Sequence, residues 1–109
     1  MNVLKKKPEA SIGIAIKANR LEHGWSQVEL AKRAKLSREF VSMVETDKRS
    51  PSLKVLEQIA ICFGKDSGDL LKEIGDAGER LELAMRLRRL ASGGDPESYR
   101  KLLEFIKTL

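Results

Sequence analysis

Three residues, Lys35-Leu36-Ser37, are all that separate two short helical segments, "QVELAKRA" (27–34) and "REFVSMVE" (38–45). Two helices joined by so tight a turn cannot lie flat on one another. They form an angled pair. The first starts at Ser26, a cap residue, with Glu29 placed to return the bond as a capping box. Trp25 before the cap and Leu30 in the second turn are spaced as a hydrophobic staple, which gives Trp25 a structural task. The second, from Arg38 to about Thr46, is capped by Ser37. Its inner side holds Phe40, Val41 and Val44, so Arg38, Glu39, Ser42 and Met43 are left facing outward together.

The rest of the chain is punctuated in the same way, with almost no strand signal. A first helix is expected over Ile12–Glu22, capped by Ser11 and stopped at Gly24, with Ile12, Ala15, Ile16 and Asn19 along one side and Ala18 and Leu21 widening it. "TDKRSPS" is a turn. A fourth helix runs from Leu53 to Phe63, with Leu53, Leu56, Ile59, Ala60 and Phe63 inward and Gly64 as the stop. Asp66 or Ser67 caps a fifth, with Leu70, Leu71 and Ile74 apolar. A sixth spans about Ala77 to Ala91, its apolar residues covering more than half the circumference. After "SGGDP", Asp95 caps a seventh, with a stripe of Tyr99, Leu102, Leu103, Phe105, Ile106 and Leu109. The fold class is all-α. Residues 1–10 form a basic arm, residues 11–75 a five-helix domain, and residues 76–109 a C-terminal helical pair.

Charge separates the two halves. Residues 1–54 carry a net charge of +6 and residues 55–109 a net −1, within a total of +5. A basic excess confined to one half points to a polyanionic partner, most simply nucleic acid. Lone Cys62, inside "IAICFG", reads as a small buried hydrophobe and forms no intrachain disulfide. His23, the only histidine, has no companion acid or nucleophile and reads as a surface residue at a helix end. No metal-ligand set, cofactor motif or enzyme constellation is found. "IGIAI" is too short for a secretory leader, and no apolar run approaches the ~20 residues that span a membrane, so a cytoplasmic protein is expected.

Several motifs agree in register: Arg20 in the first helix, "SQVELA", "LSREFVSMVE", then "RSPSLKVLEQIA". Over about residues 12–74 the chain resembles the lambda-repressor-like, Xre/Cro-type helix-turn-helix family. The resemblance implies a five-helix domain that binds double-stranded DNA, with the third helix in the major groove. By position it makes Arg38, Glu39, Ser42 and Met43 base-facing, and Gln27, Lys35, Ser37, Lys48 and Arg49 phosphate-facing. It implies a buried ion pair between Arg20 and Glu45 that fixes the reading helix. Two positions depart from the family pattern. Lys35 and Asp47 stand where glycine is usual, at places that tend to be left-handed; a side chain there costs about 1 kcal/mol or more.

The implied function is a sequence-specific transcriptional repressor that binds a palindromic operator as a homodimer. The sixth and seventh helices lie outside the resemblance and are the natural dimerisation element, with Leu83, Leu87 and Leu90 on its outer flank. Alternatively, these two helices merely cap the domain. An antitoxin or restriction-modification controller would look much alike, and a helical adaptor without DNA readout is the rival of a different class. A regulatory signal would reach the domain through the C-terminal helices or a second protein.

Overall fold

Four serines set the starts of the first four helices. In the computed structural model, which describes residues 11–90, 100, 101, 104, 107 and 108, each serine hydroxyl accepts a backbone N–H three residues on. Ser11 caps α1 (Ile12–Glu22), Ser26 caps α2 (Gln27–Ala34), Ser37 caps α3 (Arg38–Glu45) and Ser52 caps α4 (Leu53–Cys62). Asp66 caps α5 (Ser67–Lys72), and α6 follows over Ile74–Leu90. The described residues contain helix and turn but no strand. The basic arm and most of the expected seventh helix, including its apolar stripe, lie outside the described residues.

The first four helices also end alike. Gly24, Lys35, Asp47 and Gly64 all adopt positive φ. In each case the next N–H reaches back five residues, as in Trp25 to the Arg20 carbonyl (3.1 Å), Leu36 to Ala31 (2.9 Å), Lys48 to Met43 (2.9 Å) and Lys65 to Ala60 (3.0 Å). This closure satisfies carbonyls the helix leaves open. Lys35 (φ 60°, ψ 45°) and Asp47 (φ 59°) therefore take the left-handed conformation expected of them, without glycine. Asp47 is helped by its side chain, which accepts the Ser11 hydroxyl at 2.8 Å.

Ile16, Leu30, Val41, Val44, Ile59 and Leu70 are fully buried, and α1 to α5 wrap around them. Trp25, Leu36 and Phe40 pack on the edge of this core. A second, smaller core lies between α1 and α6, where Ala18 and Leu21 meet Leu81 and Ala84.

Four expectations are corrected. The capping box at Ser26 is only half formed, because the Glu29 carboxylate binds Arg33 Nε at 2.7 Å, one helical turn along. The reciprocal box is at Asp66 and Asp69 instead. Leu53 is 71% exposed; in the first turn of α4 the core is reached by Leu56. The sixth helix begins at Ile74, three residues early, since Glu73 alone turns the chain from α5 into α6. His23 is half-buried rather than a surface residue, 4.6 Å from the Trp25 ring and 5.2 Å from the Phe63 ring. Burial lowers its pKa below the ordinary histidine value, against the opposing hydrogen bond to the Asn19 carbonyl.

Gly13 explains how closely α1 meets α3. A Cβ on it would lie 2.4 Å from the Val44 carbonyl oxygen and 2.6 Å from the Asp47 carboxylate. Gly13→Ala must push two backbones apart, and a loss of about 1–3 kcal/mol is expected in urea unfolding. An unchanged unfolding midpoint would show that α1 is free to shift there.

Candidate nucleic-acid interface

The outer face of α3 is built by subtraction. Val41 and Val44 are buried and Phe40 packs on the core, which fixes the rotation of the helix. Arg38 and Glu39 are then exposed at its N-terminal end, with Ser42 and Met43 half-buried one turn on. Arg38 and Glu39 do not pair with each other, and among the described residues neither side chain has a hydrogen-bond or ion-pair partner. They are donors and acceptors held ready on a rigid element.

The rigidity has an identifiable source. Arg20 Nε and Nη2 donate to the two Glu45 carboxylate oxygens at 2.6 and 3.0 Å, a bidentate pair in which each residue is only 5% exposed. Arg20 Nη1 also donates to the Trp25 carbonyl at 2.9 Å. The last turn of α3 is thereby tied to α1 and to the start of α2. Gln27 joins this clamp, its amide donating to Glu45 Oε1 at 3.1 Å. That side chain is thus engaged inside the domain, and what the first turn of α2 still presents outward is backbone N–H.

The remaining residues of the expected phosphate set surround α3. Lys35 is exposed in the turn before it. The Ser37 hydroxyl accepts the Phe40 N–H at 3.0 Å as the helix cap, which leaves its own hydrogen to donate outward. Lys48 and Arg49 are exposed beyond the C-terminus, in a loop fastened by their N–H groups to the Met43 carbonyl at 2.9 and 3.2 Å. The Arg49 guanidinium lies 5.7 Å from the Phe40 ring centre. The structure thus groups Arg38, Glu39, Ser42 and Met43 on one face and sets basic side chains at both ends of it.

The helix-turn-helix family profile matches residues 16–70, half of the chain. The chain belongs to that family, the lambda-repressor-like branch of helix-turn-helix transcription regulators. Two relatives agree with this placement of the helix-turn-helix protein. Over 54 residues it is 43% identical to the immunity repressor protein of Bacillus phage phi105, a match that covers 50% of this chain and 38% of the relative. Over 51 residues it is 41% identical to the uncharacterized HTH-type transcriptional regulator YqaF of Bacillus subtilis strain 168, covering 47% of this chain and 67% of that protein. No solved structure gives a significant match. Among the described residues, no helix is long and apolar enough to cross a membrane.

Sequence reasoning missed several residues that hold the helices together. Asn19, Glu22, Lys65, Glu73 and Arg80 form a polar network between α1, the turn before α5, and α6. The available signal was Asn19 itself, a polar residue on the apolar side of α1. Gly13 was signalled too, as a glycine inside a helical run. Gln58 also escaped notice; its amide donates to the Ala34 carbonyl at 3.0 Å and holds the end of α2 to α4.

Proposed function

We propose that this helix-turn-helix protein is a transcriptional repressor that binds a palindromic operator as a homodimer, with α3 of each protomer in the major groove. The observation that carries the reading is the outer face of α3, whose Arg38 and Glu39 are unpaired among the described residues while the helix beneath them is locked by the Arg20–Glu45 clamp. Arg38 suits bidentate donation to guanine O6 and N7. Glu39 suits acceptance from cytosine N4, Ser42 several base edges, and Met43 a thymine methyl. Lys35, Ser37, Lys48, Arg49 and the first-turn N–H of Gln27 supply phosphate contacts around them. Likeness to a phage immunity repressor favours repression.

Dimerisation is assigned to the outer flank of α6. Leu81 and Ala84 are buried against α1, whereas Leu83 is 43% and Leu90 81% exposed. Leu83, Leu87 and Leu90 recur at i, i+4 and i+7, the spacing of a helix-pairing seam.

Selection of bound duplexes from a random DNA pool tests the reading; a two-fold symmetric consensus is expected, and enrichment without any consensus would defeat it. On the selected operator, Arg38→Ala should weaken binding by about 1–3 kcal/mol and relax preference at one base position per half-site. Lys48→Ala with Arg49→Ala should instead weaken operator and random DNA alike and reduce the salt slope by about 0.9 for each phosphate no longer neutralised. Equal losses on both DNAs for Arg38→Ala would move that residue to the phosphate set.

Lys35 offers a separate test, because stability and binding should move in opposite directions. Glycine relieves the left-handed backbone, so Lys35→Gly is expected to raise unfolding stability by about 1 kcal/mol. The same change removes a phosphate partner and should weaken binding to any DNA sequence. Binding unchanged at every salt concentration would take Lys35 off the interface.

A further inference from the structure

The polar network between α1 and α6 has a geometry that ordinary surface ion pairs lack. Glu73 occupies the single residue between α5 and α6. Its carboxylate accepts from Asn19 Nδ2 at 2.8 Å, from Arg80 Nη1 at 2.7 Å and from the Lys65 ammonium. Asn19 is fully buried, and its side-chain Oδ1 accepts from Lys65 at 2.7 Å. Arg80 continues the chain of bonds to the Glu22 carboxylate through both Nε, at 2.9 Å, and Nη2. Burial alone would raise the Glu73 pKa, but the hydrogen bonds from Lys65, Asn19 and Arg80 outweigh it and hold the carboxyl below its ordinary value. The group is therefore charged at neutral pH.

Position gives this network a second meaning. Asn19 and Arg20 are neighbours on α1. Asn19 binds the α6 side, and Arg20 binds Glu45 at the end of α3. On α6, Arg80 lies one turn before Leu83, at the head of the exposed leucine stripe. One short stretch of α1 thus holds the reading helix through Arg20 and the turn that starts α6 through Asn19.

We propose that Asn19, Lys65, Glu73, Arg80 and Glu22 form a latch that fixes the angle between the leucine stripe of α6 and the reading helix α3, and thereby sets the half-site spacing the dimer accepts. The spacing claim rests on the reading of α6 as the dimer interface. The latch itself does not. Arg80 and Glu73 are positioning residues in this scheme: they touch no DNA, and they act by denying α6 other orientations. Apolar contact is non-directional, so the cluster of Ala18, Leu21, Leu81 and Ala84, with Ile14 packed against it, holds α6 on α1, and the hydrogen-bonded ion pairs add the direction.

The test uses the full chain and two variants, the isosteric Glu73→Gln and the shorter, uncharged Arg80→Gln, each checked for retained helicity. Hydrogen exchange reads the latch directly. Amides of α6 should exchange about tenfold faster in both variants, while those of α2 to α4 keep their protection. Binding is then measured on one selected half-site and on full operators whose central spacer is lengthened or shortened by two base pairs. The parent protein should lose about 10²-fold on mis-spaced operators, because the second half-site is no longer reached. In the variants that loss should shrink to roughly tenfold or less, with half-site affinity unchanged. Unaltered α6 exchange in both variants overturns the latch. Faster exchange with spacing preference intact overturns its role in spacing. A parent protein that sediments as a monomer on its operator overturns the dimer reading and the spacing claim with it, and the exchange result still decides the latch.

Discussion

Replacing Arg20 by alanine is expected to remove about 3–5 kcal/mol of folding stability, because Glu45 would be left charged inside the domain. The Glu45 side chain is 1% exposed, and among the described residues its only other donor is the Gln27 amide at 3.1 Å. The same change frees the Trp25 carbonyl, which Arg20 also binds. Domains of this size hold about 5–15 kcal/mol in all, so the loss should be about a fifth of the total or more. At about 4–8 °C per kcal/mol the thermal midpoint should fall by some 12 °C or more. Trp25 is the only tryptophan and lies next to the clamp, so its fluorescence in a urea titration reports the loss directly. The double replacement Arg20→Met with Glu45→Leu should recover most of the stability, since apolar side chains of similar size fill a buried ion-pair site at little net cost. A loss below about 1 kcal/mol for Arg20→Ala would mean that the pair behaves like one at the surface.

That clamp also marks where sequence reading reaches its limit. Helix starts and stops were legible because they are local. Ser11, Ser26 and Ser37 cap within three residues of themselves, and Gly24 and Gly64 end helices through their own φ. The exposed face of α3 was legible as well, since burying Val41 and Val44 leaves Arg38 and Glu39 nowhere else to point. Competition between equally local partners was harder to read. Glu29 could serve the cap or Arg33, and its contact is with the guanidinium one turn away. The start of α6 was hidden as well: Gly75 and Asp76 lie before the expected start at about Ala77, yet they belong to a continuous helix that begins at Ile74 after a single turn residue. Long-range polar pairing was not legible at all. Nothing near Asn19 announces Glu73, 54 positions away, or links Glu22 to Arg80. The Arg20–Glu45 pair was expected only through family resemblance, not from the spacing of its residues.

Lysine at both Leu83 and Leu90 is expected to dissociate the proposed dimer and lower affinity for its full operator by about 10²–10⁴-fold, the factor forfeited when two linked half-sites become independent. These two positions are chosen because each is exposed within the protomer, whereas Leu87 is half-buried. New charges there should leave the protomer's own packing intact, with circular dichroism and urea unfolding unchanged. Deleting residues 76–109 is a poorer experiment. It would remove buried Ala77, strip Leu81 and Ala84 from α1, expose Ala18 and Leu21, and take Arg80 from Glu22 and Glu73. A truncated protein should therefore lose stability as well as pairing, and the two effects would be confounded. With the double lysine variant they separate, because in the proposed complex contact with a single half-site rests on α2, α3 and their flanking loops. Sedimentation should give monomers, half-site affinity should match the parent, and only the full operator should discriminate. Dimers that survive both lysines with operator binding intact would place the interface elsewhere; Leu53 and Ile61, both exposed on α4, would then be the next positions to charge.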